Sequence, residues 1–268
     1  MAKKSGICKL TGNIGGYVDC HIIPKALTYS TSDYHIGSEA RFVQISNSNL
    51  PKLAHSSWYD SQLVTQAGEK ILSRLDSKGI KVLRKAFLVG EKRFDLGFRT
   101  VALTTQELID LRMLFLSILW RAAESNREEF SEIRLLPDDL QLLRGSIVSE
   151  TEPDLDDFPI SLSQYSNLDD QFNTSPVWQE IQVVWPATKQ RVLCPIFHFY
   201  MMGMSVDFSN HRRNPLLNGG WDGRVLRSSQ QLVVEVRNYQ TILKTSLIEQ
   251  KIQTEFQWPT ELQKLVRN

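Results

Sequence analysis

Apolar residues in the middle of the chain recur at the spacing of a helix. Over residues 63–87 they fall every three or four positions, which is typical of a helix with one buried face. Gly79 lies inside this pattern and predicts a break that divides it into two helices. Further on, we expect a turn of helix over residues 128–133 and a short helix over residues 138–143 that ends at Gly145.

The clearest predicted helix begins after Thr104. Thr104 and Glu107 have the spacing of a capping box, in which each side chain accepts a hydrogen bond from the backbone N–H of the other residue. Apolar residues then form a broad stripe as far as about Ser125. Within this helix we expect Trp120 to pack in the core and Arg121 to make a contact at the surface.

Strand-like segments lie in the N-terminal part of the chain. Apolar runs at residues 7–10 and 17–23 flank a glycine-rich turn and predict a β-hairpin that ends at Pro24. Residues 28–60 look irregular, and their length indicates either a functional loop or short strands that the pattern conceals. The acidic segment 149–157 predicts an exposed loop rather than a metal site.

The second half of the chain contains further segments of strand-like composition. These are residues 87–103, 179–185, 192–204 and 231–236, and a helix is predicted over residues 241–256. Together with the helices in the middle of the chain, these strands predict an α+β fold. We expect an N-terminal hairpin-plus-helix module over residues 1–90 and a helical and β-containing region over residues 91–268.

Composition is that of an ordinary globular protein. The chain has 268 residues, a formal net charge of +1, 41% hydrophobic and 23% charged residues, which excludes disorder over the whole chain. No apolar run approaches the roughly 20 residues of a membrane-spanning helix, and no leader sequence is visible, so we expect a cytoplasmic protein without a membrane partner. The near-zero net charge leaves any nucleic-acid site to a local group of basic residues.

The most informative residues precede the first long helix. Cys8 opens a Cys-x-x-Thr turn, a Cys-His-Ile-Ile-Pro-Lys segment follows at residues 20–25, and residues 58–69 lead into the helix. These segments, which lie within roughly residues 5–80, resemble an HNH nuclease module, in which a hairpin presents a histidine and a following helix completes a metal site. The His-Ile-Ile-Pro-Lys segment is also similar to one found in uncharacterised bacterial proteins.

The resemblance implies a role for each matching residue. His21 takes the position of the general base that activates water, and Asp60 stands where the family has a loop asparagine. Glu69 stands where a helix-borne residue binds the metal ion. The resemblance thus implies that Asp60 and Glu69 bind Mg²⁺ or Mn²⁺, which prefer oxygen ligands and stabilise charge on a scissile phosphate. Positive charge for the phosphates would come from three basic residues, Lys25, Arg41 and Arg84.

The chain departs from the family at the zinc-binding cysteines. HNH modules of this type carry two Cys-x-x-Cys pairs that hold a structural zinc ion, and the corresponding pairs here are Cys8 with Thr11 and Thr65 with Gly68. Since a tetrahedral zinc site needs four ligands and one remains, we expect no structural zinc. Cys20 also stands where active members commonly have aspartate or histidine.

Each candidate site residue has a structural interpretation as well. His21 could be a half-buried strand histidine, Asp60 could cap the helix that follows it, and Glu69 could be a solvated helix residue. Two hypotheses on function result. The first is a metal-dependent endonuclease that acts on nucleic acid, in a setting of bacterial defence against phage that the resemblance alone implies. The second is a catalytically inactive HNH-derived scaffold that binds a partner protein of a defence complex.

Overall fold

The described part of the chain combines α-helices with several β-sheets, which confirms the predicted α+β class. The computed structural model describes residues 4–27, 42–45, 52–54, 57–87, 97–155, 157–165, 172–174, 177–184, 189–199, 204–208 and 231–237. In chain order the elements are β1 (Ser5–Ile7), β2 (Ile14–Gly16), β3 (Cys20–His21), β4 (Phe42–Ile45), β5 (Lys52–Ala54), β6 (Tyr59–Asp60), α1 (Gln66–Phe87), β7 (Gly97–Ala102), α2 (Thr105–Glu124), α3 (Pro137–Ser149), β8 (Ile160–Tyr165), β9 (Phe172–Thr174), β10 (Val177–Val184), β11 (Lys189–Phe199), β12 (Met204–Phe208) and β13 (Gln231–Arg237). Short 3₁₀ helices cover Lys25–Leu27 and Glu128–Phe130, the second within the turn predicted at residues 128–133.

The helix predicted after Thr104 is α2, and it lies at the centre of the fold. The capping box is present: the Thr104 side chain accepts from the Glu107 backbone N–H, and the Glu107 carboxylate accepts from the Thr104 backbone N–H at 2.9 Å. Every residue from 111 to 122 is buried, and both α1 and α3 pack against this helix. Trp120 is in the core, as predicted, but Arg121 is 1% exposed. The expected surface contact of Arg121 is therefore wrong, because this part of α2 has no face at the surface.

α1 continues without a break through Gly79, so the predicted division into two helices is wrong. The glycine allows α1 to approach α2 closely. A Cβ added at Gly79 would lie 2.3 Å from Leu114 Cβ and 2.9 Å from the Asp110 carbonyl oxygen. Glycine costs about 1 kcal/mol in a helix relative to alanine, and the packing of the apolar face of α1 offsets that cost.

α3 likewise extends past Gly145, so the predicted end at that residue is wrong. Gly145 is exposed, but Ser146 and Ile147 are buried, and their burial favours continuation of the helix. The helix ends before Glu150, which has a φ of 51° and whose backbone N–H bonds back to the last turn. Arg74 of α1 donates to the Glu150 carboxylate from Nε at 2.8 Å, which joins the end of α3 to α1.

The largest sheet has six strands in the order β10-β11-β12-β8-β13-β7. β8 and β13 run parallel, and the other neighbouring strands run antiparallel. β10 and β13 match the predicted segments 179–185 and 231–236. The strand-like segment 192–204 overlaps β11 and includes only the first residue of β12, and β7 lies within 87–103. The helix predicted at residues 241–256 lies outside the described residues.

The N-terminal hairpin is shorter than predicted. It consists of β1 and β2, whereas β3, which carries His21, pairs antiparallel with β6. The expectation that the hairpin itself presents His21 is therefore wrong, because the partner strand comes from the segment 28–60. That segment contains β4, β5 and β6, which are too short to show an alternating pattern in the sequence. β4 also pairs in parallel with β9 of the second half of the chain.

The acidic segment 149–157 packs against α2 instead of forming the predicted exposed loop. Arg112 of α2 is 1% exposed, and it donates to Glu152 Oε1 at 2.8 Å and to the Pro153 carbonyl oxygen at 3.0 Å. It also donates to the Asp157 carbonyl oxygen, and both Pro153 and Asp157 are buried. The predicted exposure is wrong for this part of the segment because a buried guanidinium binds the main chain of the loop.

The N-terminal module shares its core with the rest of the described protein. The buried apolar side chains of the described residues form a cluster that reaches from Cys8 to Val234, with α2 in its middle. This cluster includes residues on both sides of the predicted division at residue 90. Among the helices described here, none is both long enough and apolar enough to cross a lipid bilayer.

Candidate functional site

His21 lies on a two-stranded ribbon formed by β3 and β6. Cys20 is opposite Asp60, and His21 is opposite Tyr59. Since successive side chains of a strand point to opposite faces, Cys20 and Asp60 share the buried face of the ribbon, and His21 and Tyr59 share the other face. Tyr59 is 46% exposed, and the centroid of its ring lies 6.2 Å from that of the imidazole. His21 is thus a half-buried strand histidine, and its imidazole does not project from the same face as the Asp60 carboxylate.

A tight turn precedes this ribbon and packs against the residues before α1. The Cys8 backbone N–H donates to the Asn13 carbonyl at 2.9 Å, and Gly12 between them has a φ of 75°, which glycine adopts without strain. The Lys9 N–H donates to the Leu63 carbonyl at 3.1 Å. This bond holds the turn against the segment that leads into α1.

Thr11, Thr65 and Gly68 surround the sulfur atom of Cys8, and these four residues are the ones that the sequence resemblance matched to zinc-ligand positions. The Thr11 backbone N–H donates to Cys8 Sγ at an N–S distance of 3.4 Å. Thr65 also hydrogen-bonds to this sulfur, through its backbone and its side chain. A Cβ added at Gly68 would lie 2.7 Å from the same sulfur. The turn after β1 and the start of α1, which are far apart in the sequence, are therefore brought together at Cys8.

The surroundings of Cys8 stabilise negative charge on its sulfur. Burial raises the pKa of the Cys8 thiol, but hydrogen bonds from Thr11 and Thr65 outweigh burial, and the pKa lies below its ordinary value. Hydroxyl and N–H donors thus satisfy the Cys8 sulfur.

The Asp60 carboxylate connects two segments of the chain through three hydrogen bonds. Its Oδ1 accepts from the Gln62 N–H at 2.8 Å, and its Oδ2 accepts from the Asn126 N–H at 3.0 Å and from Ser125 Oγ at 3.2 Å. Asp60 therefore closes the turn before α1 and binds the residues at the end of α2. This arrangement favours a structural role, related to the helix cap considered from the sequence but made with a different helix.

Glu69, in the first turn of α1, is a partly buried carboxyl beside the Cys20 thiol. Burial raises the pKa of Glu69, although the neighbouring Cys20, Arg121 and Ser73 lower it in part. Burial also raises the pKa of Cys20 well above its ordinary value, so the thiol is protonated. No residue in the described ranges donates a hydrogen bond to the buried Oε2 of Glu69. This environment differs from that of a solvated helix residue.

Arg121 of α2 and Asp76 of α1 form a buried ion pair behind the ribbon. Arg121 donates from Nη2 to Asp76 Oδ1 at 2.6 Å and from Nη1 to Asp76 Oδ2 at 3.0 Å. Its Nη1 also donates to the His21 carbonyl oxygen at 2.8 Å. The remaining donors reach Ser117, with Nε bonded to the carbonyl oxygen at 3.1 Å and Nη2 to Oγ at 2.9 Å. All five N–H groups of this guanidinium are therefore used, as a buried arginine requires.

The charges around His21 favour its neutral form. Burial lowers the pKa of His21, and the positive charges of Arg121 and Lys25 lower it further, while Asp19 and Asp76 act in the opposite direction. The net effect is a pKa below the ordinary value. A neutral imidazole at neutral pH is the form that can accept a proton.

Of the two described basic residues named from the sequence, Lys25 lies near His21 and Arg84 lies at the far end of α1. Lys25 is exposed and close enough to His21 to affect its pKa. Arg84 is exposed in the last turn of α1, about 22 Å along the helix from Glu69 at 1.5 Å per residue. Arg41 lies outside the described residues.

The structure therefore brings His21 and Glu69 near one buried ion pair and directs Asp60 to the end of α2. Within the described ranges, no group of three or more histidine, cysteine, aspartate or glutamate side chains is arranged to hold a metal ion. Sequence reasoning missed Arg121 and Asp76. The available signal was the apolar character of α2 on all sides, since a charged residue inside a fully covered helix needs a buried partner.

Comparison of the chain with protein-family models, with curated proteins and with solved structures finds no match in any of the three.

Proposed function

We propose that residues 1–90 are an HNH-like module and that the protein acts on nucleic acid as a metal-dependent endonuclease. The observation that supports this proposal is the arrangement around Cys8, where the positions of all four family ligands meet although three of them are no longer cysteine. The hydrogen bonds to the Cys8 sulfur do not by themselves explain why the turn after β1 and the start of α1 meet at this atom. Descent from a zinc-binding module accounts for it.

A module of this kind can lose its zinc ion when other interactions replace the metal. Structural zinc contributes about 10–16 kcal/mol in small finger peptides, which have almost no other core. Here Cys8, Leu63 and Val64 are fully buried and belong to the core that the module shares with α2. In this proposal, the free energy of burying these and the other apolar side chains of the shared core replaces the free energy that a structural zinc ion would contribute.

In the proposed reaction, His21 accepts a proton from the attacking water. Its lowered pKa keeps it neutral at neutral pH, and the residue is half-buried on the ribbon. Lys25, close to His21, would attract the phosphate. The setting of defence against phage is carried by the sequence resemblance.

Of the two carboxylates, Glu69 is the candidate metal ligand, and it lies beside the Cys20 thiol, toward the face of the ribbon opposite the His21 imidazole. Its Oε2 has no hydrogen-bond donor among the described residues, whereas the Asp60 oxygens accept three hydrogen bonds. Mg²⁺ is commonly bound by one or two carboxylates together with substrate phosphates, so a single protein carboxylate is sufficient. The ion, when bound, would stabilise charge on the scissile phosphate.

Cleavage assays test the catalytic part of the proposal. The wild-type protein should cut single- or double-stranded DNA or RNA in the presence of Mg²⁺ or Mn²⁺, and His21→Ala should reduce the rate by about 10²–10⁴-fold. Arg74→Ala, a substitution at a partly exposed residue of α1 that pairs with Glu150, serves as the control and should retain activity. Equal cleavage by wild type and His21→Ala, or no cleavage of any substrate, would overturn the catalytic role.

Restoration of the metal ligands tests the HNH-like part separately. The triple variant Thr11→Cys, Thr65→Cys, Gly68→Cys should bind one Co²⁺ or Zn²⁺ ion with four sulfur ligands, visible in the Co²⁺ absorption spectrum. The Cys8 side chain must rotate to make room for the new Cβ at Gly68. That rotation costs on the order of 1 kcal/mol, far less than zinc binding contributes. A control with Gly145→Cys in place of Gly68→Cys should not form the site, since Gly145 has no neighbour within 4 Å of an added Cβ.

A second candidate function is that of a catalytically inactive HNH-derived scaffold that binds a partner protein. The engagement of the Asp60 carboxylate by the turn before α1 and the end of α2 favours this candidate, because that carboxylate then serves the fold. The scaffold hypothesis expects four-sulfur metal binding by the triple variant together with no cleavage by the wild type. Cleavage that depends on His21 contradicts it.

A further inference from the structure

α2 contains two fully buried arginines with different surroundings. Arg112 binds the loop after α3, and the structure contains no acceptor for its Nε within the described residues. Arg121 uses every donor, and one of them binds the carbonyl oxygen of His21. Both guanidiniums are about 1% exposed, so their difference lies in what they hold and not in how deeply they are buried.

We propose that Arg121 is a positioning residue for His21: it fixes the main chain that carries the imidazole and, through Asp76, connects that main chain to α1. This inference rests on the proposed role of His21 as general base, and it adds a contribution from outside the HNH-like module.

The geometry leaves the His21 peptide little freedom. β3 is a two-residue strand, so few ladder hydrogen bonds hold it in place. The bond from Arg121 Nη1 to the His21 carbonyl oxygen, at 2.8 Å, supplies a contact from the other side of the ribbon. The same nitrogen bonds to Asp76 Oδ2 at 3.0 Å, and the two-point pairing with Asp76 fixes the plane of the guanidinium. Movement of the carbonyl would therefore disturb a buried ion pair.

The charges of the same groups act on the imidazole. Arg121 from α2, Lys25 from the 3₁₀ helix, Asp19 from the segment before β3 and Asp76 from α1 are the charged groups that influence His21. Arg121 is hydrogen-bonded to the main chain of His21 and is the positive charge with the largest effect on its pKa. A lysine at position 121 would keep the charge but could not reproduce the planar, two-point pairing with Asp76.

The test uses the full chain and compares Arg121→Lys with Arg112→Lys. The readout is the pair of imidazole ring nitrogen resonances of His21, measured by long-range ¹H–¹⁵N correlation and assigned by their absence in His21→Gln. Arg121→Lys should shift or broaden these resonances, and Arg112→Lys should leave them unchanged although it removes an equally buried guanidinium. Unchanged His21 resonances in Arg121→Lys would overturn the inference and leave Arg121 a purely structural residue.

A milder variant covers the case in which Arg121→Lys does not fold. Ser117→Ala removes the acceptor of the Arg121 Nη2 bond at 2.9 Å and leaves the guanidinium in place. It should move the His21 resonances in the same direction by a smaller amount. A folded Ser117→Ala protein with wild-type His21 resonances, combined with an unfolded Arg121→Lys protein, overturns the inference.

Kinetics distinguish this inference from the proposed function. Where the wild type cleaves, Arg121→Lys should lower kcat by about tenfold to a hundredfold with little change in KM, since a displaced base is present but misaligned. If the wild type does not cleave, the catalytic proposal is overturned. If the His21 resonances nevertheless move in Arg121→Lys, that result supports the positioning of His21 by Arg121. A normal kcat in Arg121→Lys overturns the positioning role.

Discussion

Gly79→Ala should destabilise the protein, although alanine is the better helix former. The substitution places a methyl group 2.3 Å from Leu114 Cβ, 2.8 Å from Leu114 Cδ2 and 2.9 Å from the Asp110 carbonyl oxygen. Carbon atoms in contact are normally about 3.5–4.0 Å apart, so the methyl group requires a displacement of more than about 1 Å. Leu114 Cβ and the Asp110 carbonyl belong to the rigid part of α2 and cannot rotate away, so the helices must separate.

The magnitude follows from two opposing contributions. Replacement of glycine by alanine in a helix stabilises by about 1 kcal/mol. Overpacking in a well-packed core costs about 1–3 kcal/mol and sometimes more, and a contact with a neighbouring Cβ belongs at the upper end. The net expectation is a loss of about 2 kcal/mol in the free energy of unfolding, or a fall in Tm of about 4–8 °C for a chain of this size.

Gly145→Ala is the matched control on α3. An added Cβ at Gly145 has no neighbour within 4 Å, and the residue is exposed in a helix, so only the gain in helix propensity remains. Its Tm should rise by about 2–4 °C, the equivalent of about 1 kcal/mol. Thermal unfolding followed by circular dichroism measures both variants. A rise in Tm of similar size for Gly79→Ala would refute the close packing of α1 on α2.

The remaining predictions concern the candidate site. Glu69→Gln should raise the free energy of unfolding at pH 7 by up to about 1 kcal/mol in urea unfolding, because burial raises the pKa of the carboxyl and its Oε2 has no donor in the described ranges. Glu150→Gln is the control and should lower the free energy of unfolding, because it removes a carboxylate whose pKa is lowered by Arg74. A loss of stability in Glu69→Gln would contradict this account of its environment. Asp60→Asn should lower the free energy of unfolding by about 1–2 kcal/mol, since an amide nitrogen then faces a backbone N–H, and wild-type stability in this variant would rule out the connecting role of Asp60. In the folded protein His21 has a pKa below its ordinary value of 6.5, so the unfolded chain takes up this proton first as the pH falls. The contribution of His21 to the free energy of unfolding is therefore constant above about pH 6.5 and decreases below it. His21→Gln should remove that decrease when the free energies of unfolding are compared between about pH 5 and pH 8.

Local sequence patterns predicted the helices well where a short-range interaction decides the outcome. The capping box at Thr104 and Glu107 fixes the start of α2 because both partners lie within one turn. Glycine was misleading at positions 79 and 145, since its low helix propensity is about 1 kcal/mol and the packing of a long helix outweighs it. The two-residue strands β3 and β6 could not be predicted, because a strand of that length has no periodicity and its partner lies far away in the sequence.

The candidate site shows the same division. The sequence named His21 and Glu69 because their spacing resembles that of an HNH module. The same resemblance matched Cys8, Thr11, Thr65 and Gly68 to the positions of its zinc ligands. It could not name Asp76 as the partner of Arg121, because an ion pair between two helices depends on their rotation and separation. It also could not show that the Asp60 carboxylate binds the end of α2, since that bond joins residues that are distant along the chain.

The sequence by itself determined the α+β class, the central helix with its capping box, and the order of residues that resembles an HNH module. These are properties of composition, of neighbouring residues and of spacing along the chain. Only the tertiary structure decided which face of the ribbon carries His21, which carboxylates serve the fold, and that a buried arginine of α2 binds the His21 main chain. The physical reason is that these features depend on close contacts between distant segments, and the free energy of such contacts is set by burial and geometry after the chain has folded.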